Sequence, residues 1–280
     1  MSGRARPVLR APRVASGLTV VALLAIAALA APWLAPHDPL AQNLSNAFAP
    51  PVWAGGEAVH PLGTDSLGRD VLSRLIYGAR AALAVAFVAA LFAGLLGTVL
   101  GLAAGYFGGA ADTAISRLVD IWMSFPSVLL CIVLAAVLGA GLTTVAIAII
   151  VIDWTRFCRV VRAEVMVQKG RDYVASAVTI GLTPAAILWR EILPNVAPLL
   201  LTLFTLEMGI AIVIEAILSF VGLSSTGVPT WGGIIQEGRL YVNQAWWLMA
   251  APMACIIVAV LALNALGDGL RDALDPVAAQ

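Results

Sequence analysis

Charge is scarce in this sequence: only 11% of its 280 residues are Asp, Glu, Lys or Arg, against roughly a quarter in ordinary soluble domains. Sixteen basic and sixteen acidic residues cancel to a formal net charge of zero, so the chain has no broad basic surface for nucleic acid. Histidine is scarcer still. His37 and His60 are the only two, and both lie in one polar segment, which argues against a His/Cys metal site and against a Ser-His-Asp arrangement spread through the chain. The three cysteines, Cys131, Cys158 and Cys255, are scattered without metal-ligand spacing and read as small apolar filling. No Gly-x-x-x-x-Gly-Lys-Ser/Thr run occurs, so the chain has no usual phosphate loop and must take any ATP-derived energy from elsewhere.

What is abundant is apolar: 61% of the residues. Crossing about 30 Å of hydrocarbon takes about 20 helical residues, and about six runs of that order can be marked off: Val14 to Ala35, Ala81 to Tyr106, Ile115 to Leu138, Leu142 to about Arg159, Val196 to Phe220, and Trp246 to Leu266. The runs are long and continuous rather than alternating in ten-residue stretches, so the fold class is an all-α integral membrane protein and not a barrel. Gly94, Gly97, Gly101 and Gly105 recur every three or four residues in the second run, which places them on one stripe where another helix can approach closely. The Phe125-Pro126 pair in the third predicts a kink.

Basic residues orient the set. Arg4, Arg6, Arg10 and Arg13 precede the first span, and Arg156, Arg159, Arg162, Lys169, Arg171 and Arg190 cluster between the fourth and fifth. With the N-terminus inside, the outer segments hold only Arg69, Arg74, Arg80 and Arg239. The positive-inside rule therefore predicts cytoplasmic N- and C-termini. A cleaved signal ending near Ala28-Leu29-Ala30 is the alternative for the first run, but that run is longer than a signal core and the basic loop needs the first crossing.

The expected organisation is a cytoplasmic N-terminus and first helix over residues 1–35, an extracytoplasmic segment over 36–80, a membrane-spanning core over 81–268 and a cytoplasmic tail over 269–280. Within the core, the cytoplasmic segment at about 162–195 predicts two short helices. Asp172 to Ile180 is helix-compatible, Gly181 ends it, and Thr183-Pro184 supplies an N-cap and a first-turn proline. Pro194-Asn195 then predicts a break before the membrane is re-entered. Small residues, Ala175, Ser176 and Ala177, permit close contact with another protein.

Three stretches resemble one family. His60-Pro61-Leu62-Gly63-Thr64-Asp65-Ser66-Leu67-Gly68-Arg69-Asp70 through Arg80 is similar to the signature of dipeptide, oligopeptide and nickel ABC importer permeases, in their C-type inner-membrane subunit. Gly170-Arg171-Asp172-Tyr173-Val174 through Gly181, with Ile192-Leu193-Pro194-Asn195, resembles the loop by which such permeases engage their ATPases. Leu218-Ser219-Phe220-Val221-Gly222-Leu223 with Pro229-Thr230-Trp231-Gly232-Gly233 resembles the end of their fifth helix and its outer loop. Together the matches span the chain from the first helix to the last. Two departures stand out: Ser176, Ala177 and Val178 replace an alanine pair followed by arginine, and Glu191 replaces a histidine. They predict a contact that relies more on shape than on charge.

The resemblance implies a permease subunit in a bacterial-type inner membrane, forming half of a channel for short peptides or a related solute such as chelated nickel. It implies a paralogous permease, two cytoplasmic ATPases carrying ATP and magnesium, and an extracytoplasmic solute-binding protein, with no cofactor on this chain. The implied coupling residues are Tyr173, Ala175, Ser176, Ala177, Gly181, Pro194 and Asn195. A proton- or ion-coupled carrier is the competing class, because Glu207 and Glu215 fall inside the fifth span, where an acid is costly. Eight residues on a helix separate them by about 80°, so they line adjoining faces, either toward a pathway or toward a neutralising contact. Two similar halves with broken helices, which a carrier favours, are absent from the sequence. Asp112, Asp120 and Asp153 show no paired spacing, which speaks against an integral membrane enzyme.

Overall fold

The computed structural model describes residues 12–224 and 227–274; Arg4, Arg6, Arg10 and the final residues of the tail lie outside them. Among the described residues the chain is helical, with one isolated antiparallel bridge between Thr64 and Asp70. The long helices are α1 (Pro12–Leu29), α3 (Val71–Phe107), α6 (Leu142–Lys169), α9 (Leu193–Phe220) and α11 (Trp247–Leu274). Shorter ones are α2 (Ala31–Leu34), α4 (Gly109–Met123), α5 (Ser127–Leu138), α7 (Asp172–Thr179), α8 (Pro184–Ala186) and α10 (Trp231–Gly238). Three helical stretches are long and apolar enough to cross a membrane, Val71–Phe107, Pro184–Phe220 and Trp247–Asp272, and α4 with α5 makes a fourth if that bent pair counts as one span. The protein is an all-α, multi-span membrane protein.

The second run does not begin at Ala81. Asp70 caps α3 through Ser73 N–H, and the 37-residue helix runs unbroken for about 55 Å, so the quoted His60 to Arg80 stretch feeds straight into it. Its glycine stripe packs parallel against α6. A Cβ on Gly97 would lie 2.3 Å from the Trp154 carbonyl, and one on Gly101 or Gly105 would lie 2.8 Å from Val161 or Val165 Cβ. Only glycine permits that approach, and the extra dispersion contact replaces the side chains forgone. The antiparallel α1 and α11 meet in a similar way, Gly17 facing the backbone of Leu266. We call the end carrying the start of α3 the upper end, and the end where α6 finishes the lower.

Three expectations need correction. The third run is not one kinked helix: α4 and α5 are separate and bent by 83°, because Pro126 has no N–H to continue the ladder and becomes the N-cap of α5. The first run is interrupted at Ala30, with α2 beyond it. Pro194 does not break the chain. Ahead of it Ile187–Ile192 forms a π-helical turn, and Leu193 N–H reaches back to Leu188 O. The wider turn accommodates a ring that would crowd the carbonyl four residues back. Asn195 Nδ2 donates to the Glu191 carbonyl at 2.6 Å. The expected second short helix is therefore the first part of a continuous helical stretch from Pro184 to Phe220.

Candidate functional site

At the lower end, α6 continues past Arg162 to Lys169, whose Nζ donates to Tyr106 O at 2.6 Å. The chain then turns into α7. Gly181 closes that helix at φ 83°, with Leu182 N–H to Ala177 O at 3.1 Å and Gly181 N–H to Val178 O at 3.0 Å, a paired termination that requires the left-handed conformation at Gly181. Thr183 caps the next helix by accepting from Ala186 N–H. Of the sequence-selected residues, Ala175, Ser176, Gly181, Pro194 and Asn195 are exposed. Ala177 is not: it is 5% exposed and packs with Leu102, Val161, Val165, Val174, Ile187 and Ile192 in the chain's own lower core. Tyr173 is half-buried and donates to Gln168 Oε1 at 2.7 Å. Burial first, and Glu191 second, raise its pKa, so the phenol remains a donor. Beside the open face of α7 stand Val178, Ile180 and Trp189, at 57%, 75% and 63% exposure.

Midway along the bundle, α6 and α9 bring three charges together. Arg156 Nη1 lies 3.6 Å from Glu207 Oε2, and its Nε lies 4.0 Å from Asp153 Oδ1; both acids are buried. The scattered Asp153 of the sequence is thus brought beside Glu207 by the packing of α6 on α9, with Arg156 between them. Arg156 also faces a cavity of about 430 Å³ framed by α5, α6, α9 and α11, lined by Ser127, Ile210, Val213, Val260 and Asn264 among others. Glu215 takes no part in this cluster; Ser219 Oγ donates to it at 2.5 Å. Nearer the lower end, Asp112 pairs with Arg162 and Asp120 with Arg159, which joins α4 to α6.

The upper end holds a second charge cluster. Asp65 accepts from Arg69 Nε at 2.7 Å, from the N–H groups of Leu67 and Arg69, and from Arg74 Nη1. Glu237 of α10 accepts from Arg69 Nη2 at 2.6 Å and from Arg74 Nη1 at 2.7 Å. The sequence missed Glu237; the scarcity of acids opposite two outer arginines was the available signal. Trp231 Nε1 donates to Leu75 O at 3.0 Å and fixes α10 on α3. Two of the three quoted stretches thus meet in space.

Residues 97–279 match the family described as the binding-protein-dependent transport system inner membrane component. The chain belongs to this family. Residues 10–51 also match the N-terminal transmembrane domain of oligopeptide transport permease C, so this inner-membrane component carries the C-type opening. It is 41% identical over 262 residues to a di/tripeptide transport system permease protein of Pseudomonas aeruginosa, covering 93% of this chain and 86% of that one. It is 39% identical over 264 residues to a glutathione transport system permease protein of Pectobacterium atrosepticum, covering 94% and 86%. Among solved structures, an inward-facing MetNI methionine ABC transporter matches with a TM-score of 0.61 at 20% identity, over 72% of this chain and 97% of that one, a likeness of fold.

Proposed function

We propose that this inner-membrane component forms half of the translocation path of an ABC importer for short peptides or a related small solute, beside a paralogous permease. Six crossings are assigned to α1, α3, the α4–α5 pair, α6, the Pro184–Phe220 stretch and α11. This arrangement puts the lower end in the cytoplasm and agrees with the basic-residue asymmetry. The relatives named for di/tripeptide and glutathione transport support the substrate class. Two ATPases would engage α7 and the following turn from below, and a solute-binding protein would deliver substrate from above. ATP binding draws the ATPases together, moves α7 with them, and alternates access to the cavity beside Arg156.

The observation that carries this reading is the lower-end surface: a short helix whose exposed positions are Asp172, Ala175, Ser176, Val178 and Thr179, small or apolar apart from Asp172 at its start, with Ile180 beyond them. Small side chains admit a partner closely, and apolar ones gain from being covered. The experiment co-expresses the chain with the ATPases, second permease and binding protein of the same transport system, and compares native chain with Ala175→Trp. The variant should reach the membrane and copurify with the second permease, while losing ATPase copurification and uptake. Full uptake by Ala175→Trp in an assembled complex overturns the coupling role, and solute accumulation by the purified chain alone overturns the dependence on ATPases.

A further inference from the structure

The two histidines that the sequence leaves in one polar segment converge in space. His37 follows α2, His60 opens the stretch leading into α3, and their rings stack with centroids 4.7 Å apart and planes tilted by 35°. Both present Nδ1 to the same carboxylate oxygen: His60 Nδ1 is 3.0 Å, and His37 Nδ1 3.9 Å, from Asp70 Oδ1. The three atoms lie within 4.8 Å of one another. Asp70 is fully buried at its side chain, and its other oxygen is already occupied by Ser73 N–H at 2.8 Å and Ser73 Oγ at 2.7 Å. Oδ1 is left for whatever the histidines share.

A hydrogen bond from His60 accounts for one of those nitrogens. It does not account for the other: His37 Nδ1 is buried without a hydrogen-bond partner, a state that costs free energy unless something is bound there. A cation resolves it, because two imidazole lone pairs and a carboxylate oxygen can then all point inward. Tetrahedral ligands about 2.0–2.2 Å from zinc stand roughly 3.4 Å apart; the two separations to Asp70 are 3.0 and 3.9 Å and no separation exceeds 4.8 Å, so side-chain rotation of the part-exposed His37 closes the set on the ion. The donor set also selects the ion. Imidazole with carboxylate suits zinc(II) and its neighbours, no thiolate is present for copper(I), and hard cations prefer all-oxygen cages. The Ser73 contacts to Asp70 are the supporting hydrogen bonds that such ligands ordinarily have.

We propose that His37, His60 and Asp70 form a binding site for one divalent transition cation, zinc(II) or a close analogue, that clips the segment after α2 to the start of α3. Three protein ligands leave a fourth position for water on the side where His37 is 35% exposed, so the ion enters from the aqueous surface. The clip joins residues far apart in sequence and acts on the folded chain alone.

The test uses the untagged full-length chain in nanodiscs and zinc(II) alone as the probe, titrated against a chromogenic chelator. One zinc per chain is expected, with an X-ray absorption signature of two imidazoles and an oxygen shell. His37→Ala, which removes a half-exposed ligand and leaves the Asp70 cap in place, should weaken binding at least about tenfold, since even outer-shell losses cost about 10–100-fold. Asp70→Asn keeps a capping oxygen and should weaken it similarly. Zinc should raise the unfolding temperature of the native chain and not of His37→Ala. No saturable binding to a folded native chain, or unchanged affinity in His37→Ala, overturns the site and leaves His60 to Asp70 as a plain structural hydrogen bond.

Discussion

The ion pairs at the two ends of the bundle are built on opposite plans. At the upper end, charged groups are buried and answered within the chain: Asp65 by Arg69 and Arg74, and both arginines again by Glu237. At the lower end, the ion pair of Asp120 with Arg159 is exposed on both sides, and large apolar side chains, Ile180 and Trp189, stand in the open. A closed polar network fixes geometry, because each member left alone would be costly. An uncovered apolar surface favours burial against something else. The upper acids are therefore answered within the chain, whereas the lower pair meets water and the apolar side chains beside it can be covered by a partner; apolar side chains such as Trp33, Leu44 and Leu240 stand open at the upper end too.

The sharpest way to break this contrast is to cut the upper network. Arg74→Ala removes the best buried partner of Asp65, and breaking a buried pair from one side costs about 3 kcal/mol or more. Folded yield in the membrane and the unfolding temperature in detergent should both fall strongly. The matching change below, Arg159→Ala, should cost about 0.5 kcal/mol or less, since both members of its pair with Asp120 are solvated. Equal losses from the two substitutions would erase the distinction.

Next in size is a change between the ends. Gly97→Leu forces a side chain against the Trp154 carbonyl and Phe157 Cβ, and overpacking of this kind costs about 1–3 kcal/mol. Because α3 and α6 are rigid and parallel, the strain should spread along the whole seam. Gly94→Ala is the milder control: its nearest neighbours are the Phe157 ring atoms at 3.2 Å and beyond. Unfolding temperatures of the two variants check the order.

That seam was legible in the sequence because a helix repeats every 3.6 residues and glycine spacing projects directly onto one face. The capping of α8 by Thr183, the left-handed end of α7 at Gly181 and the three longest apolar helical stretches were legible for the same local reason. Other features were not. The effect of Pro194 depends on hydrogen bonds that can shift register around it, and a π turn is invisible to a rule that counts prolines. The place of the bend at Pro126 was legible, but its size, 83°, was not, and the inward turn of Ala177 depends on what the neighbouring helices offer. The meeting of His37 with His60, or of Asp153 with Glu207, is a long-range event that no spacing encodes. Charge scarcity was the one usable hint, since each charge in so apolar a chain needs a partner.

A smaller effect is expected at Gly181. Its φ of 83° lies where a side chain is strained, yet an added Cβ would meet nothing within 4 Å. Gly181→Ala should thus cost about 1 kcal/mol through backbone strain alone. Proteolysis of the turn between α7 and α8 should quicken several-fold while the global unfolding temperature barely moves. A large drop in that temperature would show that the lower end is as tightly built as the upper.

The smallest effect on stability, and the most informative, belongs to Ile180→Ser. Ile180 is 75% exposed and follows α7 as its C-cap at φ −81° and ψ 2°, angles a serine adopts readily, so serine should change the stability of the isolated chain by no more than about 0.5 kcal/mol. If the lower surface docks ATPases, the cost appears only in the complex. Burial of an isoleucine side chain contributes about 1.5–3 kcal/mol, so its loss should weaken ATPase association by roughly 10–100-fold. With Val178 and Glu191 at the places where the family resemblance implies arginine and histidine, added salt is expected to weaken the native contact only modestly, because there is little long-range attraction to screen. Titration of purified ATPase against nanodiscs of native and Ile180→Ser chain, paired with the second permease, reads both effects. Unchanged affinity in the variant would remove this apolar surface from the contact, and a steep loss of native binding with salt would return the contact to charge.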